Sequence, residues 1–197
     1  MIVEEIWNWV KEEYFKHQRE PGVVYVTDLV SCPKRREMEL KYPIIASSHI
    51  YNPTAVQGQI LHLGLEHLLK QRLKEVRTEV EVEREIFGVK LRGRMDAIIE
   101  AKGHRYGLEL KTALRDTNLP HEHHILQCRI YNFLANLPYT VLLYITPDRI
   151  CEYKVEGAIS EEELEKLLND DKAPRWDWEC TRYCPFAKVC ESKKSGR

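Results

Sequence analysis

Between residues 76 and 112 the spacing of apolar side chains changes, and that change constrains the fold more than any other feature. Val80, Val82 and Ile86 alternate with charged residues, which is the period of a half-exposed strand. Gly88 marks a turn, 89–100 reads as a partner strand, Lys102-Gly103 turns again, and 105–112 makes a third strand. The spacing predicts an antiparallel meander, and the segments on either side read mostly as helices. Val3, Ile6, Trp7, Val10 and Tyr14 form one stripe of an amphipathic helix over 2–18. A helical turn is expected near Thr27–Leu29. Pro33 suits a first helical position ahead of Lys34–Leu40, Pro43 ends that helix, and 44–53 reads as loop. Helical spacing returns from Thr54 to about Lys74 and over 121–136. Residues 139–146 and 149–155 read as strands, and Ser160 with Glu163 is a capping box opening a helix to about Asp170. The fold class expected is α/β or α+β: a mixed central sheet flanked by helices in a single domain, 1–197. Within it, 1–53 is an N-terminal helical segment and 174–197 a C-terminal cysteine-bearing one.

The bulk numbers exclude more than they identify. With 43% hydrophobic residues the chain can build a core, and no apolar run approaches the ~20 residues of a membrane span. The acidic, amphipathic start does not read as a secretory signal, so a soluble cytoplasmic protein is expected. Net charge is −1, so nucleic-acid contact would rest on local clusters such as Lys34-Arg35-Arg36, or the tail with Lys188, Lys193, Lys194 and Arg197. Such runs are usually solvated faces.

Gly93-Arg94-Met95-Asp96 is followed by Glu109-Leu110-Lys111. In a strand, residues two apart share a face, so Glu109 and Lys111 project together and Leu110 points into the core. Asp96, near the end of the preceding strand, is expected beside Glu109. Paired carboxylates on adjacent strands suit a hard cation such as Mg²⁺ or Mn²⁺. A neighbouring lysine can steady a nucleophilic water or the charge of a phosphate. Alone, D…ExK could equally be surface charge. It has company: Gly58 and His62 form G-x-x-x-H, with Glu66 one turn on, and Gln127 and Tyr131 share a helical face as Q-x-x-x-Y. A neutral imidazole at His62 could add a metal ligand.

Six cysteines in a cytoplasmic chain read as metal ligands before disulfides, although disulfides do occur inside hyperthermophiles. Cys180, Cys184 and Cys190 are spaced C-x3-C-x5-C, and Cys32 stands far upstream. Thiolates select zinc or iron–sulfur clusters. Four cysteines satisfy tetrahedral zinc, whose usual spacing is two close pairs, whereas a cube-like cluster tolerates the wider intervals here. Cys128 and Cys151 read as buried bystanders, and His121, His123 and His124 as a surface loop before a helix.

In this order, G-x-x-x-H, G-x-x-D, E-x-K and Q-x-x-x-Y resemble the RecB-like branch of the PD-(D/E)xK nucleases. With one upstream and three clustered cysteines, the chain resembles the CRISPR-associated RecB-like exonucleases, the fourth numbered Cas family. The nominal proline before the first aspartate is absent, Met95 standing there. The resemblance implies that His62, Asp96 and Glu109 bind the divalent metal, with the Leu110 carbonyl a further ligand, and that Lys111 is catalytic. It implies a four-iron, four-sulfur cluster on Cys32, Cys180, Cys184 and Cys190. The function it implies is metal-dependent exonucleolytic cleavage of DNA ends, single-stranded by expectation, in spacer acquisition for antiviral defence, beside CRISPR integrase proteins. Gln127 and Tyr131 would support the site or DNA, and Arg35, Arg36, Arg94 and Tyr131 would line a basic, aromatic groove. The rivals are a DNA-end-binding subunit with little cleavage of its own, a DNA-repair nuclease, and a zinc-stabilised interaction module that leaves the carboxylates unexplained.

Overall fold

The computed structural model describes residues 1–182 and 184–194; Arg197 of the basic tail lies outside them. The helices are α1 Ile2–Lys16, α2 Val26–Leu29, α3 Lys34–Lys41, α4 Pro43–Ser48, α5 Pro53–Arg72, α6 Glu122–Ala135, α7 Glu161–Leu168 and α8 Glu179–Arg182. The strands are β1 Val23–Tyr25, β2 Val76–Ile86, β3 Val89–Ala101, β4 His104–Thr112, β5 Tyr139–Ile145 and β6 Ile150–Glu156. They form one mixed sheet in the order β1-β3-β4-β5-β6, with β2 on the other edge of β3. The meander is antiparallel as its period requires, β5 joins β4 in parallel after the α6 crossover, and β1 joins β3 in parallel. Both meander turns sit where φ is positive, at Phe87-Gly88 and Lys102-Gly103.

β3 is shared between two neighbours on one edge. Lys90–Arg92 pair with β1, and Ala97–Ala101 pair with β4. Residues 93–96 lie in the fork between, where the ladder is open. The main core fills one face with Val26, Leu29, Leu91, Met95, Ile130, Tyr131 and Leu164, so α2, α6 and α7 cover β3. A second core group sets Leu65 and Leu69 of α5 against Ile99 and Leu108 on the other face.

Three expectations are corrected. Residues 44–53 are not simply loop: Pro43 opens α4, because a first helical residue needs no N–H, and a 3₁₀ turn over His49–Tyr51 follows. β1 was unforeseen, since three residues carry no readable period. Val3 is 57% exposed despite its place on the stripe, while Val10 is buried. Among the described residues no helix is long and apolar enough to cross a membrane.

Candidate active site

The fork in β3 places the carboxylates. Just past the last rung, Ala97 opposite Leu108, the strands part, and Asp96 and Glu109 stand side by side. The Leu110 N–H, left without a ladder partner, donates instead to Asp96 Oδ2 at 2.6 Å. Leu110 itself is fully buried, so Glu109 and Lys111 share the opposite face. Lys111 Nζ donates to Glu109 Oε1 at 2.7 Å, and His62 Nδ1 lies 3.1 Å from Asp96 Oδ1. α5 passes close to β4 as it brings His62 in: a Cβ at Gly58 would lie 3.3 Å from the Thr112 hydroxyl.

Charge at this point is out of balance. Glu109 is only 3% exposed and its Oε2 has no hydrogen-bond partner. Burial pushes its carboxyl up to about 7, against the Lys111 ammonium, and Asp96 adds to the rise. Burial works against the charge on Lys111, but the Glu109 and Asp96 carboxylates outweigh it and hold its pKa above the ordinary lysine value. Burial likewise opposes charge on His62, and its hydrogen bond to Asp96 and that residue's charge reverse the sign. A buried carboxylate oxygen without a donor, beside a second carboxylate and an imidazole, is the donor set of a hard divalent cation. Among the described residues, no three His, Cys, Asp or Glu side chains are gathered as a finished ion cage. Asp96 is engaged by Leu110 and His62, and Glu109 by Lys111.

Q-x-x-x-Y closes the fork from the other side. Tyr131 donates from its hydroxyl to the Arg94 carbonyl at 2.9 Å, and Gln127 Nε2 donates to that hydroxyl at 3.2 Å. A Cβ on Gly93 would lie 2.5 Å from Tyr131 Cε1, so G-x-x-D needs its glycine to admit the ring. Tyr131 is 2% exposed. The stacking face expected of it in a groove is therefore buried in packing, and its place is support. Arg94 is exposed and pairs with Glu79 at 2.7 Å and His17 at 2.9 Å. Glu79, unforeseen, has a positive φ, and burial raises its carboxyl pKa, with Glu66 and Asp96 adding to the rise against Arg94.

The cysteines are all free thiols. Burial raises the pKa of Cys32, and the charges of Glu179, Cys180 and Cys184 add to it; burial raises Cys184 too, with Cys180 and Cys190 contributing. The four predicted cysteines thus lie within each other's fields, although Cys32 and the others come from opposite ends of the chain. The raised pKa values hold Cys32 and Cys184 as thiols, and a cationic metal group would have to displace their protons. The charge of Arg35 reaches Cys184 and lowers its pKa, and both Arg35 and Arg36 pair with Glu39. Cys128 packs with Leu142 and Tyr144, and Cys151 is half-buried beside Tyr153. The three histidines are not a surface loop. His124 bonds Tyr144 of β5 at 2.7 Å, and His123 packs 4.8 Å from Trp178 of the C-terminal segment.

A family model described as the PD-(D/E)XK nuclease superfamily matches residues 34–191. The CRISPR-associated exonuclease Cas4 of Saccharolobus solfataricus is 42% identical over 202 residues, an alignment covering 98% of this chain and 99% of that protein. The crystal structure of SSO0001 superposes with a TM-score of 0.93 at 41% identity, covering 99% of this chain and 98% of that one.

Proposed function

Since the chain belongs to the PD-(D/E)XK nuclease superfamily, and within it to the family of the CRISPR-associated exonuclease Cas4, we propose that it is a divalent-metal-dependent exonuclease. It hydrolyses phosphodiester bonds at single-stranded DNA ends, in the cytoplasm, during CRISPR spacer acquisition and alongside integrase proteins. The observation that carries the reading is the unpartnered, buried Glu109 Oε2 between Lys111 and Asp96.

Asp96, Glu109 and His62, with the Leu110 carbonyl, would hold the cation, and His62 would have to lose its proton to do so. A divalent cation there would supply Lewis-acid charge at the scissile phosphate. Leu110 N–H fixes the Asp96 carboxylate, so the donor oxygens are oriented before substrate arrives. Lys111 Nζ, held by Glu109 Oε1, directs its positive charge at the phosphoryl oxygens as their charge grows. No side chain forms a covalent intermediate. Gln127 and Tyr131 hold the open edge of β3, and Arg94, Arg35 and Arg36 contact backbone phosphates. Cys32, Cys180, Cys184 and Cys190 hold a four-iron, four-sulfur cluster that ties the segments 1–53 and 174–197 to one nuclease domain.

Anaerobic purification with a visible absorption spectrum, followed by digestion of end-labelled single- and double-stranded DNA with Mg²⁺ or Mn²⁺, tests both halves. A brown protein that shortens single strands from their ends is expected. Colourless protein with one zinc sinks the cluster, and no cleavage with either cation sinks the nuclease reading.

A further inference from the structure

The segment that carries three of the cysteines is fastened to the first by hydrogen bonds. Glu179, immediately before Cys180, is 8% exposed. Its Oε1 accepts from the backbone N–H of Cys32 at 2.8 Å, across 147 residues of chain, and its Oε2 accepts from that of Trp176 at 3.0 Å. The residues before Cys32 are held in turn: Trp176 Nε1 donates to the Val30 carbonyl at 2.8 Å, and Arg175 Nε to the Ser31 carbonyl at 3.1 Å. Further along, the Cys184 N–H donates to the Glu179 carbonyl at 3.0 Å, the Cys190 N–H to the Phe186 carbonyl at 3.0 Å, and Phe186 is 1% exposed.

A carboxylate is an odd neighbour for thiols that must ionise to bind a metal, because its charge opposes theirs. Its presence there is explained by geometry. Charge-assisted bonds to two backbone N–H groups are strong, and removing the acceptor would strand two sheltered donors. We propose that Glu179 is the positioning residue of the cysteine site: it locks the Cys32 backbone to the segment bearing Cys180, Cys184 and Cys190 and so holds the four thiols near one another. The proposal rests on the reading that these cysteines bind one metal group.

The test uses the full chain, reduced and metal-free, with Co²⁺ as the probe. Hydrogen exchange at the Cys32 and Trp176 amides needs no variant: protection in the metal-free protein is expected, and exchange at unfolded-peptide rates overturns the lock. Co²⁺ titration followed by thiolate-to-metal absorption then compares wild type with Glu179→Ala and Glu179→Gln. Alanine is expected to weaken binding by about tenfold or more, the usual scale for outer groups that orient ligands. Glutamine keeps one carbonyl acceptor and is expected between the two, a partial rescue that a bulk folding defect would not give. Wild-type affinity in both variants overturns the proposal. Should the alanine protein not fold, the glutamine variant and the exchange data decide. Protected amides in a wild type without thiolate absorption would sink the shared-metal reading while supporting the lock.

Discussion

Asp96 meets Glu109 because the rung beside them, Ala97 opposite Leu108, is already paired. Cys32 meets Cys180 because a terminal segment docks on a loop, with Glu179 bonding Cys32 across 147 residues. The first centre is fixed by sheet register: it cannot move without slipping a strand, and a one-residue slip would turn every side chain over. The second is fixed by a handful of hydrogen bonds and a buried Phe186, and can be altered while the sheet stands. The carboxylate centre should therefore respond to substitution in its chemistry, and the cysteine centre in its assembly.

The largest effect separates the two most sharply. Glu109→Ala and Asp96→Ala are expected to take cleavage of end-labelled DNA to background, and Lys111→Ala to lower it by roughly 10²–10³-fold, as removal of a preorganised charge does. Iron per chain should be unchanged in all three. Full activity in purified Glu109→Ala would remove Glu109 from the mechanism, and iron lost with activity would mean that the centres are not separable.

Cys32→Ser probes the other side. Iron content is expected to fall nearly to zero while cooperative melting of the sheet persists. Sequence distance suggests that the metal alone closes this long loop, so that losing it would free the tail. The Glu179, Arg175 and Trp176 bonds argue that the tail stays docked. Limited proteolysis decides: cleavage within 174–190 as fast as in urea-unfolded protein would show that the metal makes the docking.

Proton competition gives a smaller, graded effect at the carboxylate centre. Folding raises the Glu109 pKa from 4.5 to about 7, chiefly by burial. The metal-free fold thus binds this proton more tightly than the unfolded chain does. That contribution to stability is full below 4.5 and is lost as pH rises through about 7. A cation must displace the same proton and that of His62, whose pKa is also raised, so its apparent affinity should rise by about tenfold or more per pH unit below 7 and flatten only once both are lost. Mn²⁺ titrations between pH 5.5 and 8.5 check this. Affinity that is flat with pH in wild type would mean that Glu109 is already ionised.

The same contrast explains what was legible beforehand. The meander was readable because alternation and turn residues are local; strand parity put Glu109 and Lys111 on one face, and the resemblance marked them, with Asp96, as a candidate site. The fork was not readable, because it depends on β1, whose three residues pair with Lys90–Arg92 from a distance. Nor was the partial burial of His123, which packs against Trp176 and Trp178 arriving from the far end. Glu179 carries no signal at all: its partners are backbone N–H groups, and any sequence has those. Pattern reads what neighbours along the chain decide, and docking between its ends leaves no pattern.

The smallest expected effect tests whether the fork truly supports the carboxylates. Tyr131→Phe keeps the ring that packs on Gly93 and removes only the hydroxyl. That deletes the donor to the Arg94 carbonyl and the acceptor for Gln127 Nε2, leaving two sheltered polar groups unpaired. Such a loss costs about 1–3 kcal/mol, and at roughly 2–4 °C per kcal/mol for a chain of this size the melting temperature should fall measurably. Asp96 lies two residues beyond Arg94 on the same open edge, so kcat should drop a few-fold as its carboxylate loses definition, with KM for DNA nearly unchanged. Iron content should not change, because nothing in the cysteine centre touches this hydroxyl. If Tyr131 instead met the nucleic acid, KM would rise while the melting temperature stayed put. That outcome would require the ring to leave its pocket against Gly93 and Val26, and would show the register-built centre to be the more mobile of the two.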